Sequence, residues 1–214
     1  MRIGIFGGAF DPIHYGHLRV AEEVYESLAL ERVVFLPTAT PPHKTAGRIT
    51  PFAHRIKMVQ LAIEGVDHFV VSDMEKEIPG HSYSIETLRR LHTTFDLDTR
   101  FYFIVGLDAF VELPTWKEYR RLPSYANFVV VDRPGYSETE LKAVLDQHFP
   151  GYTYDDNRKE YLLSGQYSVF YRKTTLFGIS STAVRRAVAE GHSVRFLAPP
   201  AVEKYIYQER LYVK

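Results

Sequence analysis

The chain predicts an α/β fold, an open and mainly parallel sheet with helices on both faces, and three observations carry that expectation. Short apolar runs rich in β-branched and aromatic residues recur along the chain. Amphipathic segments of helical length lie between them. No linker, internal repeat or low-complexity tract interrupts the pattern. Strands that alternate with helices need crossover connections, which place the strands parallel and run right-handed.

Strands are expected over Arg2–Phe6, Arg32–Leu36, Phe69–Val71, Phe101–Val105 and Phe128–Val131. A first helix is expected over His14–Leu28, where Leu18, Ala21, Val24, Tyr25 and Leu28 recur at spacings of three and four. A second, Pro51–Ile63, has Thr50 as candidate N-cap and Pro51 at its first position. A third, Tyr83–Phe95, follows Ser82 and puts Ile85, Leu88 and Leu91 on one face. Further on, Ser137–His148 reads as a helix and Phe149–Asn157 as a turn-rich loop. Tyr161–Leu163 is ambiguous, and Ser168–Phe177 reads as a strand. Ser180–Glu190 is expected to be helical, capped by Ser180 or Ser181 and ended by Gly191, before a last helix at Pro200–Gln208. The whole is a Rossmann-like arrangement in one domain spanning 1–214, with a small C-terminal helical extension at 179–214. Ligands of such sheets bind beyond the carboxyl ends of the strands, where the strand order reverses.

The chain has 214 residues, 45% of them hydrophobic, enough to bury a core. Lys plus Arg and Asp plus Glu are 26 each. Without a basic excess, neither a nucleic acid nor an anionic membrane is expected as partner. A small anion in a local pocket fits better. There is no Cys, which rules out thiolate metal sites, disulfides and thiol nucleophiles. The opening MRIGIFGG lacks the basic and long apolar regions of a signal peptide, so a cytoplasmic location is expected. A homo-oligomer is left open.

The first strand runs into Gly7-Gly8, then Ala9-Phe10-Asp11-Pro12-Ile13, then His14-Tyr15-Gly16-His17 at a helix start. Two glycines let backbone N–H groups approach a phosphate. A helix N-terminus adds free N–H groups and the positive end of its dipole. His14 and His17, three apart, can aim at one point and stabilise charge developing on a phosphate. Near the other end, Phe177-Gly178-Ile179-Ser180-Ser181-Thr182-Ala183-Val184-Arg185-Arg186 puts hydroxyls at a second helix start. On its own that segment reads as an N-cap with a solvated arginine pair. No GxxxxGK[ST] loop and no protein-kinase HRD or DFG set is present. A zinc site on the histidine pair finds no third ligand.

Taken together, residues 7–17 resemble the (H/T)xGH signature of the nucleotidyltransferase α/β-phosphodiesterase superfamily, whose members move AMP or CMP onto a phosphate. Residues 179–185 resemble its second signature, ISSTxxR. That resemblance implies that Gly7, Gly8 and Phe10 frame a nucleoside triphosphate with His14 and His17 at its α-phosphate. It also implies that Ser180, Ser181, Thr182 and Arg185 meet the β- and γ-phosphates.

Three further segments concern the acceptor. Thr38–Lys44 (TATPPHK) ends in His43 and Lys44, which can neutralise phosphates if the loop covers them. Gly106-Leu107-Asp108 follows the fourth strand, where Asp108 can accept from ribose hydroxyls. Trp116, the only Trp, reads equally as a packing aromatic or as a stacking plate for a planar ring. With Ser82–Leu88 (SYSIETL), these segments are similar to the bacterial nicotinate-nucleotide adenylyltransferase family along nearly the whole chain. The resemblance implies that Trp116 stacks near the nicotinate ring and that Gly106 and Asp108 serve the adenosine half. It puts Tyr83 and Ser84 near the nicotinate carboxylate and Arg133 near the acceptor. Ser84 stands at a family threonine and Glu86 at a family aspartate.

The implied reaction joins ATP to nicotinate mononucleotide and releases pyrophosphate, with His14, His17, Lys44 and Arg185 as the catalytic set. Mg²⁺ is expected with ATP, held mainly by phosphates and water rather than by a protein metal site. The acceptor's phosphate is already anionic at neutral pH, so no general base is needed. Nicotinamide mononucleotide or phosphopantetheine as acceptor, and a non-enzymatic nucleotide sensor, are the competing readings.

Overall fold

The structure, a computed structural model, describes residues 1–40, 49–78 and 80–213. Eight strands form one sheet: β1 (Arg2–Gly8), β2 (Arg32–Pro37), β3 (Phe69–Val71), β4 (Arg100–Gly106), β5 (Asn127–Val131), β6 (Thr153–Asp155), β7 (Glu160–Leu162) and β8 (Ser168–Arg172). Their order is β3-β2-β1-β4-β5-β8-β7-β6. The six strands from β3 to β8 run parallel, while β7 and β6 add an antiparallel edge.

Strand residues alternate between two cores, as the two-residue period of a strand requires. Phe6, Phe35, Ile104 and Val129 face one layer with α1 (Tyr15–Ser27), α2 (Phe52–Ile63), α6 (Ser181–Ala189) and α7 (Pro200–Gln208). Ile5, Leu36, Phe103 and Val130 face the other, with α3 (Ser84–Thr94), α4 (Leu107–Val111) and α5 (Glu138–His148). The C-terminal helices α6 and α7 therefore share the core of α1 and α2. Among the described residues, no helix is long and apolar enough to cross a membrane.

Several local expectations are corrected. The stretch 149–157 is not all loop, because it holds β6, and the ambiguous Tyr161 belongs to β7. Each strand has three residues, too few to show a period. Their turn is built by Asp155, whose Oδ1 accepts the N–H groups of Asn157 and Arg158 at 2.9 and 3.1 Å. The strand from Ser168 ends at Arg172 and does not reach Phe177. Beyond it, Thr174 turns out of the sheet to donate its N–H and hydroxyl to Asp132. Pro51 is the N-cap of α2, not its first residue, and Thr50 does not cap it. The backbone of Thr50 is engaged elsewhere, with its N–H on Asp11 and its carbonyl on Arg55. Of the two candidate caps of α6, Ser180 is the one used: its Oγ accepts from the Ala183 N–H at 3.1 Å.

Candidate active site

Strand order reverses between β1 and β4, so a crevice opens beyond Gly8 and Gly106. A cleft of about 400 Å³ lies there, lined from the β1 side by Gly7, Gly8, Phe10 and His17. Tyr83, the N-cap of α3, with Ser84 and Thr87 of that helix forms another wall, and Gly106, Asp108, Trp116, Lys117 and Arg133 close it.

A side chain at two of these positions would press on a neighbour. A Cβ at Gly8 would meet the Phe10 ring at 3.2 Å. Phe10 is itself buried and left-handed, at φ 46°, which folds its ring back beneath the loop. A Cβ at Gly106 would collide with Asp108 and stand 2.5 Å from Arg133 Nε.

His14 is the N-cap of α1 and His17 its third residue, and their rings stack with centroids 3.8 Å apart. The His14 backbone N–H donates to His17 Nδ1 at 3.3 Å. In the neutral ring that bond leaves the proton on Nε2, free to donate. Burial, reinforced by Arg133, lowers the His14 pKa to about 4. Burial, with His14 and Arg133 beside it, also holds His17 well below the usual histidine range. Both rings are therefore neutral at pH 7 and act as hydrogen-bond donors rather than cations. His17 lines the cleft, whereas His14 lies behind it against a small cavity shared with Arg133 and Phe177. His14 Nδ1 is buried without a hydrogen-bond partner among the described residues.

The start of α6 docks on the outer side of the same loop. Ser181 Oγ donates to the Pro12 carbonyl at 2.9 Å, and Arg185 Nη1 to the Asp11 carbonyl at 2.6 Å. Arg185 Nη2 also donates to Thr182 Oγ1 at 3.2 Å. All three hydroxyls of the segment are thus engaged with protein, Ser180 as cap, Ser181 on Pro12 and Thr182 on Arg185. What the first turn still offers an anion is the N–H groups of Ser181 and Thr182, which lack intrahelical partners. The fold brings both signature segments together, although none of 180–182 or Arg185 lines the cleft itself.

At the far wall, α3 begins at Ser84 with Tyr83 as an N-cap that makes no side-chain capping bond. The N–H groups of Ser84 and Ile85 remain available. Thr87 Oγ1 is turned away, onto buried Glu75 at 2.9 Å. Trp116 lines the cleft edge-on to Phe103, so it is partly packed and partly presented. Glu86 does not line the cleft; its carboxylate holds Lys117 at 2.9 Å and Arg89 at 3.3 Å. The exchange of a family aspartate for Glu86 therefore falls on a surface ion pair. Asp108, half exposed, sits 3.4 Å from Arg133 Nε. Arg133 thus spans the histidine pair and the cleft.

Of the expected residues, His43 and Lys44 lie outside the described residues. Sequence reasoning missed Lys117, Glu75 and Thr87, all of which line the cleft. Lys117 was signalled by its place beside Trp116. Glu75 belongs to no motif, and only the fold carries it inward. Among the described residues, no three His, Cys, Asp or Glu side chains converge as a metal site would require.

The cytidylyltransferase-like family matches residues 5–187. A probable nicotinate-nucleotide adenylyltransferase of Desulfatibacillum aliphaticivorans is 42% identical across the whole of both chains. One from Citrifermentans bemidjiense is 44% identical over all of this chain and 99% of that protein. In structure, Plasmodium falciparum nicotinic acid mononucleotide adenylyltransferase complexed with NaAD superposes with a TM-score of 0.76 at 20% identity. That match covers 99% of this chain and 97% of that one, and at such identity it speaks for the fold. The chain belongs to the cytidylyltransferase-like family and, within it, to the nicotinate-nucleotide adenylyltransferases.

Proposed function

We propose that the chain transfers the AMP moiety of ATP to nicotinate mononucleotide, giving nicotinate adenine dinucleotide and pyrophosphate, in the cytoplasm. One observation carries the reading. A phosphate loop whose neutral His17 lines the cleft, with His14 stacked behind it, faces an uncapped helix start beside the lone Trp.

The acceptor's 5′-phosphate oxygen attacks the α-phosphorus in line as the bond to the pyrophosphate oxygen breaks. His17 Nε2–H donates to a nonbridging α-phosphate oxygen as its charge grows, and His14 supports it from behind. Arg185 and the first turn of α6 hold the β- and γ-phosphates, so the leaving group departs into positive potential. Lys44 and His43 are proposed to close over the phosphates. Gly106 lets the adenosine half approach, and Asp108 accepts from its ribose. Arg133 balances the negative charge that meets between the two substrates. Mg²⁺ fits as a companion of the triphosphate, held by phosphates and water, where it offsets charge on the leaving group. The nicotinate ring lies on Trp116, with its carboxylate on the N–H groups of Ser84 and Ile85 and on the Ser84 hydroxyl. Tyr83 flanks it. A helix start prefers a carboxylate to a neutral amide, which favours nicotinate over nicotinamide.

The acceptor half is tested by Trp116→Ala. Base–aromatic stacking is worth about 1–3 kcal/mol, so KM for nicotinate mononucleotide rises about 10- to 100-fold. KM for ATP stays within about twofold, because the effect is confined to the acceptor. Steady-state kinetics with each substrate varied in turn measures both. A rise in KM for ATP alone would move Trp116 to the donor side.

A further inference from the structure

The donor site is tied to the end of the chain. We infer that Tyr212 is a positioning residue for the triphosphate, acting through Asp11 on Arg185; this rests on the reading of Arg185 as a triphosphate contact.

Helix α7 ends in a turn in which the Leu211 N–H donates to the Ile206 carbonyl at 2.9 Å and the Arg210 N–H to the Tyr207 carbonyl at 3.3 Å. Arg210 takes the left-handed place that glycine usually fills in that motif, at φ 51°. Two residues on, Tyr212 is left-handed again, at φ 63°. For a bulky side chain this conformation is unfavourable and persists only where the surroundings over-determine it. Two contacts hold it here: the ring packs against the core layer of α1 and α2, and the hydroxyl has a defined partner. The Tyr212 hydroxyl donates to Asp11 Oδ1 at 2.8 Å, across 201 positions of sequence.

Asp11 sits in the middle of the phosphate loop and is 2% exposed. Its second carboxylate oxygen accepts the Thr50 N–H at 3.3 Å. The carboxylate is thus held by two donors, and the peptide that follows it is held with it. That peptide's carbonyl accepts Arg185 Nη1 at 2.6 Å, while the guanidinium also lies 3.9 Å from Asp11 Oδ2. Burial and the adjacent Asp11 raise the Tyr212 pKa far above that of an ordinary phenol, so its hydroxyl remains a donor at any working pH. The aim of Arg185 is therefore set at both ends. Thr182 fixes it from α6, and Asp11, fixed by the tail, holds it from the loop.

The arrangement acts on the donor side through Arg185, so loss of the Tyr212 hydroxyl weakens ATP binding and spares the acceptor. Tyr212→Phe keeps the ring and removes one donor. Loss of one hydrogen bond to a charged group predicts a rise in KM for ATP of about 5- to 20-fold. KM for nicotinate mononucleotide stays close to that of the parent chain, while the melting temperature falls by about 2–6 °C because a buried carboxylate loses one donor. Arg185→Ala raises KM for ATP further, and adding Tyr212→Phe to it changes nothing more, because the pair acts as one unit. If Arg185→Ala leaves KM for ATP unchanged, the reading of Arg185 itself fails. If Arg185→Ala impairs ATP binding while Tyr212→Phe matches the parent chain, only the positioning role is overturned. A Tyr212→Phe variant that loses both substrates equally, or adds its full effect to Arg185→Ala, also overturns it, because either pattern means a general loss of structure.

Discussion

His17→Ala is expected to lower kcat by about 10²- to 10³-fold while the protein stays folded, the range for removing one charge-stabilising donor from a transition state. The fold survives because His17 contributes no cation to any ion pair in the described structure; it is a neutral ring stacked on His14. The loss falls on kcat more than on KM for ATP, since the imidazole meets an oxygen whose charge peaks in the transition state. Gln at this position offers a neutral N–H of similar reach and recovers part of the rate. Single-turnover measurement of dinucleotide formation separates the chemical step from binding. Turnover near that of the parent chain would remove His17 from the reaction.

The second large effect concerns stability. Arg55, on α2, is 1% exposed and has no place in any motif. Its Nε donates to the Thr50 carbonyl and its Nη1 to the Ala9 carbonyl, each at 2.8 Å, while Nη2 reaches the Ala39 carbonyl at 3.4 Å. Burial works against its charge, and Asp11, Tyr212 and Glu75 nearby favour it. Glu75 is the counterpart. Its carboxylate accepts the Ala39 N–H at 3.1 Å and the Thr87 hydroxyl, and burial raises its pKa. Arg55→Met fills the space but leaves three carbonyls without their donor and buried Glu75 without the cation beside it, while Asp11 keeps only Arg185. Removing one partner from such a network costs about 3–5 kcal/mol. For a chain of this size the melting temperature falls by about 10 °C or more. Thermal unfolding checks it, and a shift under about 2 °C would show that the carbonyls find other donors.

Arg55 also shows what sequence alone conveys and what it withholds. The central strands β2, β4 and β5 were legible because each is a run rich in β-branched and aromatic residues buried on both sides. Most helices were legible from apolar spacing, and the limits of α7 were read correctly from Pro199–Pro200. The two phosphate segments stood out because glycines, hydroxyls and histidines cluster there within a few residues. Arg55, Glu75 and Tyr212 did not, since each stands alone in sequence and gains its meaning from partners far along the chain. The β6–β7 hairpin escaped because its strands are too short to show a period.

The reaction proposed for this cleft joins ATP to an acceptor bearing a carboxylate on its pyridine ring. The direct test is pyrophosphate release from ATP and Mg²⁺ with nicotinate mononucleotide or nicotinamide mononucleotide in turn. A carboxylate on the free N–H groups of α3 forms charge-assisted bonds that the amide cannot match, so kcat/KM is expected to favour nicotinate by about 10- to 100-fold. Equal rates, or a preference for nicotinamide, would contradict the account.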